Sequence, residues 1–279
     1  MSKKLAVIAV HGMGETKSDF ADDLRFGLEK RLQSSERESL HFDLVHYQPI
    51  LQGNQDAVFE AMRSRKIDFI ALRKFLLFGF SDAAGLERRP HEDGSPYELA
   101  QGIIGDALDR CAVALGDPAK PVVIVAQSLG CQVISNYLWD SQQEHPRQGI
   151  WKGKAPEGTI EDDFRRLKTL EAFFTTGCNI PIFVAGLSPE EIQAVGTSEN
   201  GYDFRWLNFY DRDDPFGWPL QPLGPSYAQA VADDIETNAA AGLVGAVVRG
   251  WNPLCHGEYW SDRQFLDALA EQVRSSLTT

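Results

Sequence analysis

No apolar run in this 279-residue chain is long enough to cross a bilayer. The longest, Ala239 to Val248, falls far short of the roughly 20 residues a transmembrane helix needs. Leu5 to Val10, behind Lys3 and Lys4, is too short for the apolar core of a signal peptide, so the expected location is the cytoplasm. Basic clusters are missing as well: 27 Lys and Arg stand against 40 Asp and Glu, a net charge of -13. Phosphate backbones are bound by clustered cations, so a nucleic-acid surface is excluded as a partner; the negative charge serves solubility. Cysteine is scarce. Cys111, Cys131, Cys178 and Cys255 show no C-x-x-C spacing, which excludes a disulfide framework and a cysteine zinc site and leaves buried thiols as the expectation.

What is present is an apolar content of 43%, enough for one large core, so residues 1–279 are expected to form a single elaborated domain. Leu5–Val10 is a short apolar strand that ends in Gly12 and Gly14. An amphipathic helix follows, capped by Asp19, with Phe20, Leu24, Leu28 and Leu32 on one face. A second strand runs from Leu40 to Tyr47, and the third begins only at Val122. That gap exceeds one crossover helix, so a helical insertion is expected over about 50–100. Helical patterns lie near 55–78 and 97–115, with a turn-rich piece at 88–96 between them. The dense apolar stretch Phe69 to Phe80 reads first as a core-packing helix and second as a lid or acyl-binding wall. Further strands are expected at Leu170–Thr176, at Phe204–Tyr210 and weakly near Ile235–Ala239, with irregular chain over Pro181–Gly201 and a final helix capped by Ser261. Strands alternating with helices imply a mainly parallel α/β sheet.

Chemistry concentrates at Val122 to Gly130, Val-Val-Ile-Val-Ala-Gln-Ser-Leu-Gly. An apolar strand runs into a small-x-Ser-x-small turn and then into helix-like sequence. A serine hydroxyl becomes a useful nucleophile only when a sharp strand-to-helix turn presents it to a base and to free amide donors. Ala126 and Gly130 leave room for that turn, which makes Ser128 the candidate nucleophile. Cys131 is the rival, but it falls inside the following helix and faces inward.

An activated serine needs a histidine base and a carboxylate behind it. In a nucleophile-elbow fold the order is Ser, then Asp or Glu, then His. Two histidines follow Ser128: His145 precedes the acid strand, whereas His256 lies just before the final helix, so His256 is the candidate base. For the acid, Asp214 is the first choice because Asp214-Pro215 starts a turn beyond the strand end, with Asp211 and then Asp213 as rivals. A calcium loop beginning Asp211-x-Asp213 fails at Pro215 and Pro222. Backbone amides must receive the oxyanion; these are expected from Leu129, after the nucleophile, and from Met13 in the glycine-bearing loop His11-Gly12-Met13-Gly14. The same loop, continued to Lys17-Ser18, departs from a phosphate-binding loop, since Thr16 and Val10 stand where glycines are required.

The ordered set His11-Gly12-Met13-Gly14, Ala126-Gln127-Ser128-Leu129-Gly130, Asp214 and His256 resembles the α/β-hydrolase superfamily in its lipase and esterase-like branch. Asn208 to Pro215 with Pro219-Leu220, and His256 with Tyr259-Trp260, are similar to uncharacterised bacterial members. Ala126 departs from the usual glycine and Gln127 from the histidine many lipases carry. The superfamily's first antiparallel strands are expected to be absent, giving a sheet shortened at the N-terminus. The resemblance implies a serine hydrolase acting on a small-molecule carboxylic ester, with an apolar acyl group suggested by residues 69–80, and with no metal or organic cofactor. The alternatives are a non-catalytic binding module on the same scaffold and, on the loop at residues 11–18, a nucleotide-binding protein.

Overall fold

The computed structural model describes residues 2–65, 67–196, 203–238 and 258–278. Six strands form one sheet: β1 (Leu5–Val10), β2 (Leu40–Val45), β3 (Val122–Gln127), β4 (Leu170–Thr176), β5 (Arg205–Asp211) and β6 (Val231–Thr237). Their order is β2-β1-β3-β4-β5-β6, and every neighbouring pair runs parallel.

The continuous apolar runs of β1 and β3 arise because both sheet faces are covered. Successive side chains of a strand point to opposite faces. Accordingly, Ala6, Ile8, Val10, Ile124 and Ala126 enter one core, while Leu5, Val7, Ala9, Val123 and Val125 enter the other. The first core is closed by α5 (Pro96–Leu115) and α6 (Leu129–Gln142), which contribute Ile104, Leu108, Ile134 and Leu138. The second is closed by α1 (Asp22–Glu29) and α10 (Arg263–Thr278), through Leu24, Leu28, Phe265, Leu269 and Val273. The edge strand β6 carries Asp233, Asp234 and Glu236; such charges discourage pairing with another sheet.

Between β2 and β3 lie α3 (Pro49–Arg63), α4 (Ile70–Leu86) and α5. α5 is bounded by Ser95, whose Oγ accepts from the Glu98 N–H, by Pro96 in its first turn, and by Gly116 at φ 66°, the expected helix punctuation. α3 and α4 are two helices ahead of β3 within the stretch expected to be helical, and the whole is an all-parallel α/β sheet flanked by helices. Residues 55–78 are two helices rather than one. Phe69 takes left-handed backbone at φ 56°, which stops a helix without glycine or proline. Nor is the apolar stretch simply core: Phe78 and Leu86 are buried, whereas Phe69, Ile70, Leu72 and Phe80 are exposed.

The short helices α2 (Ser34–Ser39), α7 (Ile160–Arg165) and α9 (Pro225–Ala230) lie on connections ahead of β2, β4 and β6, and smaller departures have local causes. α10 is capped by Asp262, whose Oδ1 accepts from the Phe265 N–H, while the Ser261 hydroxyl turns back to Glu258. α1 starts at Asp22, since the Asp19 carbonyl closes a preceding turn by accepting from the Asp22 N–H. Pro181–Gly201 is not wholly irregular, for α8 (Ile180–Val184) opens on Pro181. No helix among the described residues is long and apolar enough to cross a membrane.

Candidate active site

The chain passes from β1 outward to β2 and then crosses to β3 on the other side of β1. In open parallel sheets the crevice at the carboxyl ends of the strands, where the order reverses, is the place for ligands. Here it lies between the loop after β1, residues 11–18, and the turn after β3, where Ser128 stands.

Ser128 has φ 52° and ψ -121°, a conformation that costs a non-glycine residue roughly 1–3 kcal/mol and persists only where the surroundings enforce it. The enforcement is visible. Its N–H donates to the Thr176 carbonyl of β4 at 2.9 Å, and its carbonyl accepts from the Cys131 N–H at 3.0 Å. α6 starts immediately and passes so close to β1 that a Cβ on Gly130 would meet the His11 carbonyl oxygen at 2.4 Å. Glycine at 130 is therefore a steric requirement. The Ser128 side chain is buried, and its Oγ has no hydrogen-bond partner among the described residues. A buried hydroxyl left unpaired is costly. Cys131 faces inward as expected, with its thiol against the Ala126 carbonyl and its pKa raised chiefly by burial.

The loop after β1 approaches the serine directly: a Cβ on Gly12 would sit 2.8 Å from Ser128 Cβ and 3.4 Å from its Oγ. His11 explains the loop's shape. Its Nε2 accepts from the Tyr47 and Gln48 N–H groups at 3.1 and 3.3 Å. Nδ1 therefore carries the proton, and it donates to the Gly12 carbonyl at 2.7 Å. Burial, with His46 nearby and against that bond to Gly12, lowers its pKa to about 3, so the ring is a neutral brace. The Tyr47 hydroxyl donates to the His11 and Gly12 carbonyls at 3.0 and 3.2 Å. In a planar trans peptide the N–H points opposite to the C=O. Holding the Gly12 carbonyl in this network thus turns the Met13 N–H away from it. No backbone carbonyl among the described residues accepts from the N–H of Met13 or of Leu129; Leu129, first in its helix, has no intrahelical acceptor.

The acid candidates sit just beyond β5. Asp214 is buried, with Oδ1 accepting from the Phe216 N–H at 2.9 Å and Oδ2 from the Tyr259 hydroxyl at 2.8 Å. Gly217 leaves room for this pair, since a Cβ there would fall 2.7 Å from both Asp214 Oδ2 and the Tyr259 hydroxyl. Asp211 ends the strand, also buried, with Oδ1 spent on the Asp213 N–H and its own N–H donating to the Tyr259 hydroxyl at 3.0 Å. Asp213 is exposed. The loop is pinned to the sheet: Asn208 Nδ2 donates to the Trp218 carbonyl and to Asp234, and Asp234 accepts the Leu220 and Gln221 N–H groups. Asn208, Asp234 and the Tyr259 hydroxyl are supports for which the sequence offered only an alternating strand and an aromatic pair.

These pieces are linked. Trp260 Nε1 donates to Thr176 Oγ1 at 3.2 Å, one residue from Tyr259 and on the residue whose carbonyl holds Ser128. His256 lies outside the described residues. His145 is exposed beyond the C-terminal end of α6, which at 1.5 Å per residue is roughly 20 Å from the serine end of that helix.

Two spaces meet at Met13, and one of them reaches Ser128. One is an open cleft of about 450 Å³ with a mixed polar and apolar lining that includes Gly12, Thr16, Lys17, Phe20, Ser128 and Trp260. The other is a narrow apolar channel of about 60 Å³ whose walls include Phe75, Leu76 and Phe80 of α4, Ile182 and Phe183 of α8, and Phe216. Met13 borders both. Among the described residues one trio could approach a metal ion, His41, Asp43 and Cys111. Arg110 already forks both oxygens of that Asp43, and burial raises the Cys111 thiol to about 12; the trio belongs to β2 and α5, away from the serine turn.

No protein family model matches the chain, and no curated protein does. Among solved structures, the fold is similar to a cutinase-like protein from Cryptococcus sp., with a TM-score of 0.38 and 10% identity over 97% of this chain and 93% of that one.

Proposed function

We propose that the chain is a serine hydrolase cleaving carboxylic esters, with Ser128 as nucleophile, His256 as base, Asp214 as the acid behind it, and the N–H groups of Met13 and Leu129 as the oxyanion site. The observation that carries this reading is Ser128 itself: a buried, strained serine whose Oγ has no partner among the described residues, at a turn where Gly12 and Gly130 admit no Cβ. Structural serines have no use for such a position.

In this mechanism Ser128 Oγ attacks the ester carbonyl carbon as its proton passes to the His256 imidazole. The carbonyl oxygen takes the negative charge, facing the two amides. The tetrahedral species collapses, the C–O bond to the alcohol breaks, and the imidazolium returns the proton to the leaving alcohol. Water activated by the same imidazole then releases the acid and restores the serine. Asp214 is favoured over Asp211 because two donors, Phe216 N–H and Tyr259 OH, orient its carboxylate. Tyr259 is also only three positions along the chain from His256, a reach of roughly 10 Å at most. The channel beside Met13 suits the apolar acyl group, with α4 as its wall.

The test is a fluorophosphonate probe with the modified residue mapped by mass spectrometry, alongside a panel of p-nitrophenyl esters. Labelling at Ser128, lost in Ser128→Ala and in His256→Ala, supports the reading. Folded protein that takes no label and hydrolyses no ester refutes it in favour of a non-catalytic scaffold. A panel that peaks at acetate and vanishes by octanoate would remove the apolar acyl assignment.

A further inference from the structure

α4 is an apolar helix, yet it carries an acid in its least accessible position. Asp82 is fully buried, and no cation pairs with it among the described residues. Burial pushes its carboxyl pKa up, against the hydrogen bonds it accepts. Those bonds run to the loop beside the serine. Oδ2 accepts from the Gly14 N–H at 2.7 Å, and Oδ1 accepts from Gln55 Nε2 of α3. Gln55 Oε1 in turn accepts from Gln48 Nε2 at 3.3 Å, and the Gln48 N–H reaches His11.

The consequence is geometric. The peptide before Met13 is fixed by its Gly12 carbonyl, held by His11 and Tyr47. The peptide after Met13 is fixed by its Gly14 N–H, held by Asp82. With both planar units set, the two backbone dihedrals of Met13 are set. α4 follows the loop at two further points: Lys74 pairs with Glu15 at 2.7 Å, and Gly79 admits the Met13 sulfur, which a Cβ would meet at 2.8 Å.

We propose that Asp82 is a positioning residue of the hydrolytic site: its bond to the Gly14 N–H aims the Met13 amide at the oxyanion, so the insertion helix α4 completes the site rather than merely covering it. The inference rests on the hydrolase reading above. Asp82→Leu keeps the number and branching of the side-chain heavy atoms and removes the acceptor; Asp82→Asn keeps an oxygen for Gly14. Steady-state hydrolysis of p-nitrophenyl butyrate should show kcat lowered on the order of 10²-fold in Asp82→Leu, the lower end of what losing an oxyanion donor costs, with KM within about twofold. Asp82→Asn should recover most of the rate. A folded Asp82→Leu with wild-type kcat overturns the proposal, as do equal losses in the two variants or a change carried by KM alone. Should Asp82→Leu fail to fold, Asp82→Ala is judged by the same criteria. A wild-type chain that neither hydrolyses the ester nor labels at Ser128 refutes the hydrolase reading instead, and this proposal with it.

Discussion

Gly130→Ala sets two physical effects against each other. Inside a helix, alanine is favoured over glycine by roughly 1 kcal/mol, so propensity alone forecasts a more stable protein. Sterics forecast the opposite. The new Cβ would stand 2.4 Å from the His11 carbonyl oxygen, 2.9 Å from that of Val10 and 3.1 Å from Val10 Cγ1. The oxygens belong to the backbone at the end of β1, which is paired on both sides by β2 and β3 and has little freedom to retreat. Carbon and oxygen normally meet near 3.3 Å, so α6 must move by roughly 1 Å. Overpacking of this kind costs about 1–3 kcal/mol; with unyielding backbone the upper end applies, leaving a net loss of about 2 kcal/mol. For a chain of this length that is a fall in Tm of roughly 3–4 °C. The same shift carries Ser128 away from Gly12, and a 1 Å misplacement costs on the order of 10² in rate. Gly102→Ala in α5 is the control: no atom outside its own helix turn lies within 4 Å of its Cβ, so only propensity acts and Tm should rise by about 2 °C. Thermal melts of the two variants with ester turnover check the account. A Gly130→Ala protein that melts no lower than the wild type and keeps its activity would show that the elbow does not need glycine there.

Two other outcomes follow from the buried polar groups. His11 has a folded pKa of about 3, below its ordinary 6.5, so the unfolded chain binds more protons between those values; stability present above pH 6.5 is lost as pH falls toward 3. The advantage of wild type over His11→Gln in urea unfolding should therefore shrink by roughly 1.4 kcal/mol per pH unit below 6.5, about 2 kcal/mol by pH 5, and a gap that stays constant between pH 7.5 and 5 would show that the ring is not buried neutral. Tyr259→Phe removes a donor to Asp214 and the acceptor of the Asp211 N–H, which should lower stability by about 1–3 kcal/mol and reduce ester turnover with it; an unchanged melting temperature would show that the hydroxyl is dispensable.

The parts of the fold legible in the sequence are those where one physical cause dominates. β1 and β3 fall where their apolar runs lie, Leu5–Val10 and from Val122, because parallel strands covered on both faces read as near-continuous apolar runs. The elbow at Ser128 reads for the same reason, as a buried strand ending in small residues. β6 reads only in part, the expected strand near Ile235–Ala239 meeting it at its C-terminal end: as an edge strand it carries Asp233, Asp234 and Glu236, and its span Val231–Thr237 begins earlier than its apolar character suggests. The break between α3 and α4 also has no local signal: α3 ends at Arg63 and α4 begins at Ile70 with neither glycine nor proline between them. Asp82 and Gln55 went unread because their role depends on two insertion helices meeting the loop after β1. The one available hint was an acid four residues beyond Phe78, on the same buried stripe of an apolar helix.

The loop after β1 illustrates why a site of this kind recruits so many polar side chains that touch no substrate. Glycine at 12 is required for contact with Ser128, and Gly14 takes φ 92°, a conformation other residues rarely adopt. Each glycine loses more conformational freedom on ordering than any other residue, by roughly 0.5–1 kcal/mol relative to alanine. A loop built from them is pre-organised only if something else holds it. Here the holders are a neutral histidine, a buried tyrosine hydroxyl and a buried acid, each net bond contributing about 1 kcal/mol. Two of the three come from outside the loop, Tyr47 after β2 and Asp82 in the insertion. Shortening the insertion would therefore be expected to do more than open the channel: it would release the Gly14 end of the loop and the direction of the Met13 amide with it.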